Sequence, residues 1–315
     1  MTDDYIATVR LLLDIAPTVF RSGLFAMKGG TALNLFVQDM PRLSVDIDVV
    51  FTDHVPDREA ALAAIRAELR AVQQALQDRG LEVRLPGNAQ GDEVRMTVIG
   101  AGVQVKVEVN YVFRGTVMPV HAQPLAHRAQ DLFTMDVTLP VLATPELYGS
   151  KLVAAMDRQH PRDIFDVKHM LQRFGWTPAV VDCFVAYLAG HNRPVHEVLF
   201  GPAKPLEPAF TNEFVGMTRD EVSLETLSET QARLRQELPR RLTADNREFL
   251  LSLVRGAPAW RLMPFEQLQA LPAIRWKLQN LQTLRHTSYA SRARAHPPSN
   301  WIRVISRATA GRSRG

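Results

Sequence analysis

The first half of the chain combines helix-like and strand-like patterns of apolar residues. In residues 4–20 apolar side chains recur at helical spacing, and residues 57–79 are rich in helix-forming residues, so we predict a helix in each. Residues 43–51 alternate apolar and polar positions and end in an apolar run, which predicts a partly buried strand. Further predicted elements are a short strand at 24–27, a short helix at 31–36 and strands at 81–85, 93–99 and 103–113. The glycine-rich turn at 100–102 predicts a hairpin.

The second half of the chain is predicted to be helical. The predicted helices are 145–157, 162–174, 178–189, 224–237 and 244–255. Residues 191–221 are rich in Pro and Gly and are expected to form loops. These patterns predict a mixed α/β (α+β) domain over residues 1–142, a helical domain over 143–285 and a basic, disordered tail over 286–315.

Composition and charge narrow the class of protein. No apolar run approaches the roughly 18–20 residues that a membrane span requires, and the single cysteine, Cys183, excludes an internal disulfide. A reducing, cytoplasmic setting with no membrane contact is therefore expected. The last acidic residue is Glu266, and nine Lys or Arg residues follow it, which leaves 28 basic against 33 acidic groups in residues 1–266. Such a tail can hold a phosphate backbone or can simply be a solvated end.

Two aspartates, Asp46 and Asp48, lie two positions apart in the predicted strand 43–51. Side chains two apart on a strand share a face, so both carboxylates are expected on one side. Carboxylates that are close together repel each other, and a divalent cation removes the repulsion. Mg²⁺, with Mn²⁺ as the alternative, is the predicted ion. The competing interpretation is a chance D-x-D on an exposed edge.

Residues 103–110 offer a third acidic side chain. The valines of this segment occupy one face of the predicted strand, and Glu108 lies on the other. If this strand lies beside the D-x-D strand, Glu108 joins Asp46 and Asp48 near the metal, and three acids can hold two Mg²⁺ ions. The alternative places Glu108 on a solvated face beside Lys106.

A glycine turn, Lys28-Gly29-Gly30-Thr31, joins the short strand to the predicted helix. Glycines allow backbone N–H groups to approach a phosphate, and a helix N-terminus favours the negative charge. Thr31 can cap the helix or offer its hydroxyl. The spacing of a P-loop is absent. The turn is therefore a candidate phosphate cradle, and a plain chain reversal is the alternative.

A charged segment, residues 150–166, is interspersed with apolar residues. Pro161 is expected to divide it into two helices. Its candidate cationic ligands for a triphosphate are Lys151, Arg158 and Arg162. On the second helix Asp163 and Asp166 share a face. The residues are compatible with Asp166 as a general base and with a helix hairpin held by Arg–Asp pairs.

Taken in order, these segments resemble the AbiEii/AbiGii toxin family, which comprises nucleotidyltransferases of the DNA polymerase β-like superfamily related to the MenT toxins. The matching segments are 27–33, 42–48, 106–109, 151–166 and 272–281. The resemblance spans residues 20–285 and implies a nucleotidyltransferase mixed sheet flanked by helices, followed by a helical C-terminal domain. Where other superfamily members have Gly-Ser, this chain has Gly29-Gly30, so one hydroxyl ligand is missing or is supplied by Thr31.

The resemblance also implies roles for individual residues. Those that would hold the nucleotide phosphates are Gly29, Gly30, Thr31 and Lys151. The residue pattern itself adds Lys28, Arg158 and Arg162 as candidate ligands of the nucleotide. Asp46, Asp48 and Glu108 would bind the metal, and Asp166 would be the further catalytic acid or base.

The function implied is that of a toxin in a toxin–antitoxin or abortive-infection (phage-defence) system. Such a toxin transfers NMP from an NTP to an acceptor, which is a tRNA end in some members, and is encoded with a cognate antitoxin. The alternatives are an antibiotic or other small-molecule nucleotidyltransferase, a metal-dependent nuclease, and a non-catalytic RNA-binding module.

Overall fold

The computed structural model describes residues 3–86 and 95–291, which form two compact units. The first unit contains the chain up to Leu147 together with Pro208–Ser223, which we call the return segment. The second contains Tyr148–Glu207 and the described chain from Leu224 to Ser291. The first unit is thus built from two stretches of sequence that are separated by 60 residues of the second unit.

A mixed β-sheet forms the centre of the first unit. Its strands in the described part of the chain are β1 (Phe25–Lys28), β2 (Ile47–Phe51), β3 (Glu82–Arg84), β4 (Arg95–Gly100), β5 (Val103–Asn110), β6 (His121–Pro124) and β7 (Thr138–Val141). Their order across the sheet is β3-β4-β5-β2-β1-β7-β6. The pairs β2–β5 and β1–β7 are parallel, and the other neighbours are antiparallel. The predicted mixed sheet and its β4–β5 hairpin are confirmed, whereas β6 and β7 were not predicted.

Helices cover the sheet of the first unit. They are α1 (Asp3–Val19), α2 (Gly29–Ala32) with a π-helical turn at Leu33–Val37, α3 (Arg58–Gln77) and α4 (His127–Phe133). The first helix packs against β5 and α3, and α3 also packs against β3. The predicted helices at 4–20 and 57–79 are therefore confirmed, and Asp57 caps the second by accepting a hydrogen bond from the Ala60 N–H.

The strand predicted at 43–51 begins later than the pattern indicated. Its first residue in the structure is Ile47, so residues 43–46 form a loop and Asp46 lies just ahead of β2. The reason is a set of competing hydrogen bonds. The Leu43 N–H donates to the Met217 carbonyl in the return segment, and the Thr31 hydroxyl donates to the Asp46 carbonyl.

The second half of the chain is helical, as predicted. Its helices are α5 (Thr144–Asp157), α6 (Pro161–Arg173), α7 (Pro178–Gly190), α8 (Val195–Phe200), α9 (Glu207–Glu213), α10 (Leu224–Arg241), α11 (Ala244–Val254) and α12 (Pro272–Ser291). In the second unit α7 packs against α8, α11 and α12, and its apolar side chains are buried on most of its circumference. This burial on nearly all sides makes α7 the central helix of that unit.

Three predictions about the second half need comment. Pro161 does divide the charged segment, because α5 ends at Asp157 and α6 begins at Pro161. The prediction of loops throughout 191–221 is wrong, since the short helices α8 and α9 form there. The predicted disordered tail at 286–315 begins too early, because α12 continues to Ser291; residues 292–315 lie outside the described residues.

None of the helices described in the structure is both long enough and apolar enough to span a bilayer.

Candidate active site

One row of charged residues crosses four neighbouring strands of the first unit. In the antiparallel pair β1–β2, Lys28 is the Cα partner of Asp48. In the parallel pair β2–β5 Asp48 is the partner of Glu108, and in the antiparallel pair β4–β5 Glu108 is the partner of Arg95. Partner residues on adjacent strands point to the same face of a sheet. The row therefore has two carboxylates at its centre and a cation at each end.

The double-glycine turn lies directly against the Asp48 carboxylate. Gly29 has a φ of +77°, and a Cβ placed on it would lie 1.9 Å from Asp48 Oδ2 and 2.6 Å from Asp48 Cγ. Glycine is needed here for the left-handed backbone and for the space that the carboxylate occupies. The structure thus brings Asp48 and the turn together, with Glu108 on the next strand.

Thr31 fixes the loop that carries Asp46. The Thr31 side chain is buried, its hydroxyl donates to the Asp46 carbonyl, and its Oγ1 lies 3.0 Å from Ser44 Oγ. The Thr31 hydroxyl therefore holds the backbone ahead of β2. The Asp46 side chain itself is exposed, and because Asp46 precedes the strand, strand alternation does not set its direction.

Arg42 and Asn34 hold the same loop from the other side of the turn. Arg42 is buried, and its Nη1 donates to the Leu43 carbonyl over 2.8 Å. Its Nη2 lies 2.7 Å from where a Gly30 Cβ would be. The Asn34 side chain donates to the Gly30 carbonyl over 2.8 Å and accepts from the Arg42 N–H over 3.3 Å. These bonds link the glycine turn to the loop before β2.

The return segment clamps this loop through backbone pairing. Arg42 and Thr218 form an antiparallel bridge, and the Leu43 N–H donates to the Met217 carbonyl over 2.7 Å. The Arg219 N–H donates to the Pro41 carbonyl over 3.0 Å, and Arg219 Nη1 donates to the Asp39 carbonyl over 3.1 Å. Residues more than 170 positions downstream thus fix the backbone that leads to Asp46.

The third predicted acid, Glu108, is engaged by a cation. Arg95 Nη2 lies 2.7 Å from Glu108 Oε1, and the two side chains are 57% and 39% exposed. Among the described residues, no three Asp, Glu, His or Cys side chains are grouped closely enough to hold a metal ion. The donor chemistry of Asp48 and Glu108 still fits a divalent ion, because they are carboxylates on neighbouring strands. Glu108 would first have to separate from Arg95.

A second charged cluster lies in the second unit, on α5 and α6. Lys151 Nζ lies 3.1 Å from Asp163 Oδ1 and 3.0 Å from Asp166 Oδ2, and these three side chains are almost fully buried. Arg158 Nη2 donates to Asp163 Oδ1 over 2.8 Å, and its Nε also bonds that carboxylate. Two cations therefore balance two acids, which is how buried charges are tolerated.

Asp163 is the carboxylate that the cluster stabilises most directly. Burial alone would raise its pKa, but the Lys151 ammonium and the Arg158 guanidinium outweigh burial and hold the Asp163 pKa well below its usual range. Asp163 thus stays ionised and joins the end of α5 to the start of α6. Arg158 belongs to this ion-pair cluster, which we call the latch. Arg162 is half-buried in the first turn of α6.

The predicted site residues therefore fall into two groups. The first unit holds Lys28, Gly29, Gly30, Thr31, Asp46, Asp48 and Glu108. The second unit holds Lys151, Arg158, Arg162 and Asp166. The sequence did not reveal three features of the site. They are Arg95, the Arg42 and Asn34 side chains that brace the glycine turn, and the return segment. A basic residue within the predicted strand 93–99 of the hairpin was the available signal for Arg95.

A family model described as "Nucleotidyl transferase AbiEii toxin, Type IV TA system" matches residues 10–280. The chain belongs to this AbiEii family. The predicted resemblance is therefore confirmed over most of the sequence, and the family is one of nucleotidyltransferase toxins. No curated protein sequence gives a significant match to this AbiEii-family chain.

Among solved structures, the AbiEii-family chain is similar to MenT4, a nucleotidyltransferase toxin from Mycobacterium tuberculosis H37Rv. The TM-score is 0.57 at 19% sequence identity, and the match covers 86% of this chain and 93% of that one. At this identity the similarity shows a shared fold. The nucleotidyltransferase fold expected from the sequence is thereby confirmed.

Proposed function

We propose that this chain transfers a nucleoside monophosphate from an NTP to an acceptor hydroxyl, with Mg²⁺ as cofactor, as the toxin of a toxin–antitoxin or phage-defence system. The observation that carries the proposal is the row Lys28–Asp48–Glu108 lying against the double-glycine turn. Acidic groups beside a glycine turn at a helix start suit a triphosphate and its cation. The expected partners are an NTP, an RNA acceptor and a cognate antitoxin.

RNA, such as a tRNA end, is the acceptor class that we favour. Membership of a toxin family supports a cellular macromolecule as the target. The charge distribution supports a polyanion, because nine basic and no acidic residues follow Glu266. Lys and Arg side chains bind phosphate backbones largely through release of counterions.

In the proposed site the first unit binds the nucleotide. Backbone N–H groups of Gly29 and Gly30 contact the phosphates, and Lys28 adds a positive charge beside them. Asp48 and Glu108 would hold the divalent ion, and Asp46 is the predicted third ligand. When bound, that ion would offset part of the negative charge of the triphosphate and would lower the pKa of the attacking group.

The proposed reaction is an in-line displacement at the α-phosphate. The acceptor oxygen forms a bond to the α-phosphorus while the bond from that phosphorus to the oxygen bridging to the β-phosphate breaks, and pyrophosphate leaves. The hydroxyl proton passes to a general base. Asp166 remains the residue that the sequence predicts for this role, and Lys151 and Arg162 remain predicted ligands of the triphosphate.

Within the second unit, Arg158 bonds Asp163 through two of its nitrogens, and Lys151 pairs with both Asp163 and Asp166. Removal of Lys151 would take away the ammonium that pairs with both buried carboxylates, at a cost of about 3–5 kcal/mol. A Lys151 variant would therefore confuse loss of fold with loss of activity, and the test belongs in the first unit.

The test is Asp48→Asn in the full chain. Each NTP, labelled at the α-phosphate, is incubated with the protein, Mg²⁺ and total RNA, and RNA labelling and pyrophosphate release are measured. We expect Asp48→Asn to reduce both by about a hundredfold or more, which is the usual scale for loss of one preorganised electrostatic group. Asp48 is partly exposed, so the unfolding transition should hardly change.

Asp53→Asn is the matched control, because Asp53 follows the same strand. Its Oδ1 accepts from the Val55 N–H over 2.9 Å, a bond that Asn can keep. Undiminished transfer by Asp48→Asn would overturn the proposal. Pyrophosphate release without labelled RNA would point to a small-molecule or protein acceptor, and RNA cleavage without NTP would point to a nuclease.

A further inference from the structure

Arg95 occupies a defined place at the edge of the acidic row. It is the first residue of β4 and stands directly opposite Glu108 in the β4–β5 register. Its Nη2 lies 2.7 Å from Glu108 Oε1. Since Glu108 is also the register partner of Asp48, the guanidinium approaches the carboxylate pair from the side opposite β2.

A carboxylate cannot serve a guanidinium and a divalent ion equally well. The Arg95 pair engages one oxygen of Glu108 from β4, the strand on the side of Glu108 opposite β2. In addition, the positive charge of Arg95 opposes the approach of a second cation to the same group. Both effects act in the same direction and weaken metal binding at Glu108.

We propose that Arg95 is a positioning residue that competes with the divalent ion for Glu108. Its pairing keeps Glu108 on the β4 side, and opening of the pair lets Glu108 complete a metal-binding set with Asp48. The proposal rests on the proposed function, because it assumes that the Asp48–Glu108 pair binds a divalent ion. It adds that Arg95 sets the affinity for that ion.

The chain supplies a matched control on the same face of the sheet. Arg84 Nη2 lies 2.7 Å from Glu82 Oε1 on β3, and these side chains are 67% and 56% exposed. The strand partners of Glu82 and Arg84 on β4 are Ile99 and Thr97, so no carboxylate lies beside them in register. Arg84→Gln therefore removes an arginine from an equally short ion pair that has no second acid next to it.

The experiment measures binding of Mn²⁺ alone to the full chain, by loss of the free-ion electron paramagnetic resonance signal. The variants are Arg95→Gln, Arg95→Lys, Glu108→Gln, the Arg95→Gln/Glu108→Gln double variant, Asp48→Asn and Arg84→Gln. We expect Arg95→Gln to bind Mn²⁺ about three- to tenfold more tightly, the scale for removal of one charge near an exposed site. Arg95→Lys, which keeps the charge, should stay near the wild-type affinity, and Arg84→Gln should not change it.

The double variant separates a direct competition from a general charge effect. We expect the gain from Arg95→Gln to disappear when Glu108 is Gln, since there is then no carboxylate to release. Persistence of the gain in that background would overturn the proposal. An unchanged affinity in Arg95→Gln, with binding that is still lost in Asp48→Asn, would overturn it and leave the proposed function standing. Absence of Mn²⁺ binding by the wild type would overturn both.

Discussion

The contact between Gly29 and Asp48 gives the sharpest test of the site geometry. An alanine at position 29 would need a φ near +77°, and its Cβ would lie 1.9 Å from Asp48 Oδ2 and 2.7 Å from Asp48 Cβ. The left-handed backbone costs an L-residue roughly 1–2 kcal/mol. Crowding of a packed position adds about 1–3 kcal/mol. The expected loss of folding free energy for Gly29→Ala is therefore roughly 2–5 kcal/mol.

Activity should fall further than stability in this variant. The clash is relieved only if the turn or the Asp48 carboxylate moves, and a misplacement of about 1 Å can cost a hundredfold in rate. Gly102→Ala is the control, because Gly102 has a φ of +78° and its added Cβ would meet nothing within 4 Å. It carries the backbone penalty without the clash, so about 1–2 kcal/mol of stability should be lost and transfer should be retained.

Urea unfolding measures the stability of Gly29→Ala and Gly102→Ala, and transfer of the labelled α-phosphate measures their activity. Combining Gly29→Ala with Asp48→Ala removes the two nearest atoms of the clash, so this double variant should recover part of the lost stability but no activity. Equal losses of stability and activity in Gly29→Ala and Gly102→Ala would refute the reasoning. They would mean that the backbone conformation alone requires glycine at position 29.

Two further predictions concern a histidine of the second unit and the return segment of the first unit. Burial lowers the pKa of His191, although the negative charge of Asp157 opposes this shift. Neutral His191 therefore stabilises the folded state at any pH above the unfolded pKa of the imidazole. This stability is lost as the pH falls below about 6.5. The urea midpoint of the wild type should therefore fall between pH 7.5 and pH 5.5 by more than that of His191→Gln, and equal falls would count against it. Arg219→Ala, which removes the side-chain bond to the Asp39 carbonyl, should lower kcat severalfold with a loss of only about 1 kcal/mol in stability. Arg79→Ala is the control, because it also removes an arginine-to-carbonyl bond. If both variants lost activity in proportion to their loss of stability, a positioning role for Arg219 would be contradicted.

The sequence could predict the centre of the site because strand alternation is a strong local signal. The alternation of valine with polar residues in β5 placed Glu108 on the polar face of the strand. In the structure Val105 and Val107 are buried on the opposite face. That prediction depended on β5 pairing with β2, which the sequence alone did not show. The register now makes Asp48 and Glu108 direct neighbours.

The parts that escaped prediction depend on contacts that are distant in sequence. The return segment contributes three backbone residues, Met217, Thr218 and Arg219, whose role is visible only when they pair with residues 41–43. The late start of β2 follows from the same pairing. Local propensity cannot show this, because a strand-like pattern loses its ladder partners when another segment takes the backbone groups.

The Gly-Gly sequence of this chain also has a physical explanation in the loop before β2. The resemblance implied that a serine stands at the second position of the turn in other superfamily members and that its hydroxyl is either missing here or supplied by Thr31. A Cβ on Gly30 would lie 2.7 Å from Arg42 Nη2 and 3.0 Å from Ser44 Oγ. The space that a serine side chain would enter is thus taken by a guanidinium and a hydroxyl from the loop. In place of that serine, the loop supplies the Ser44 hydroxyl and the Arg42 guanidinium beside the turn. Thr31 holds this loop, because its side chain bonds both the Ser44 hydroxyl and the Asp46 carbonyl.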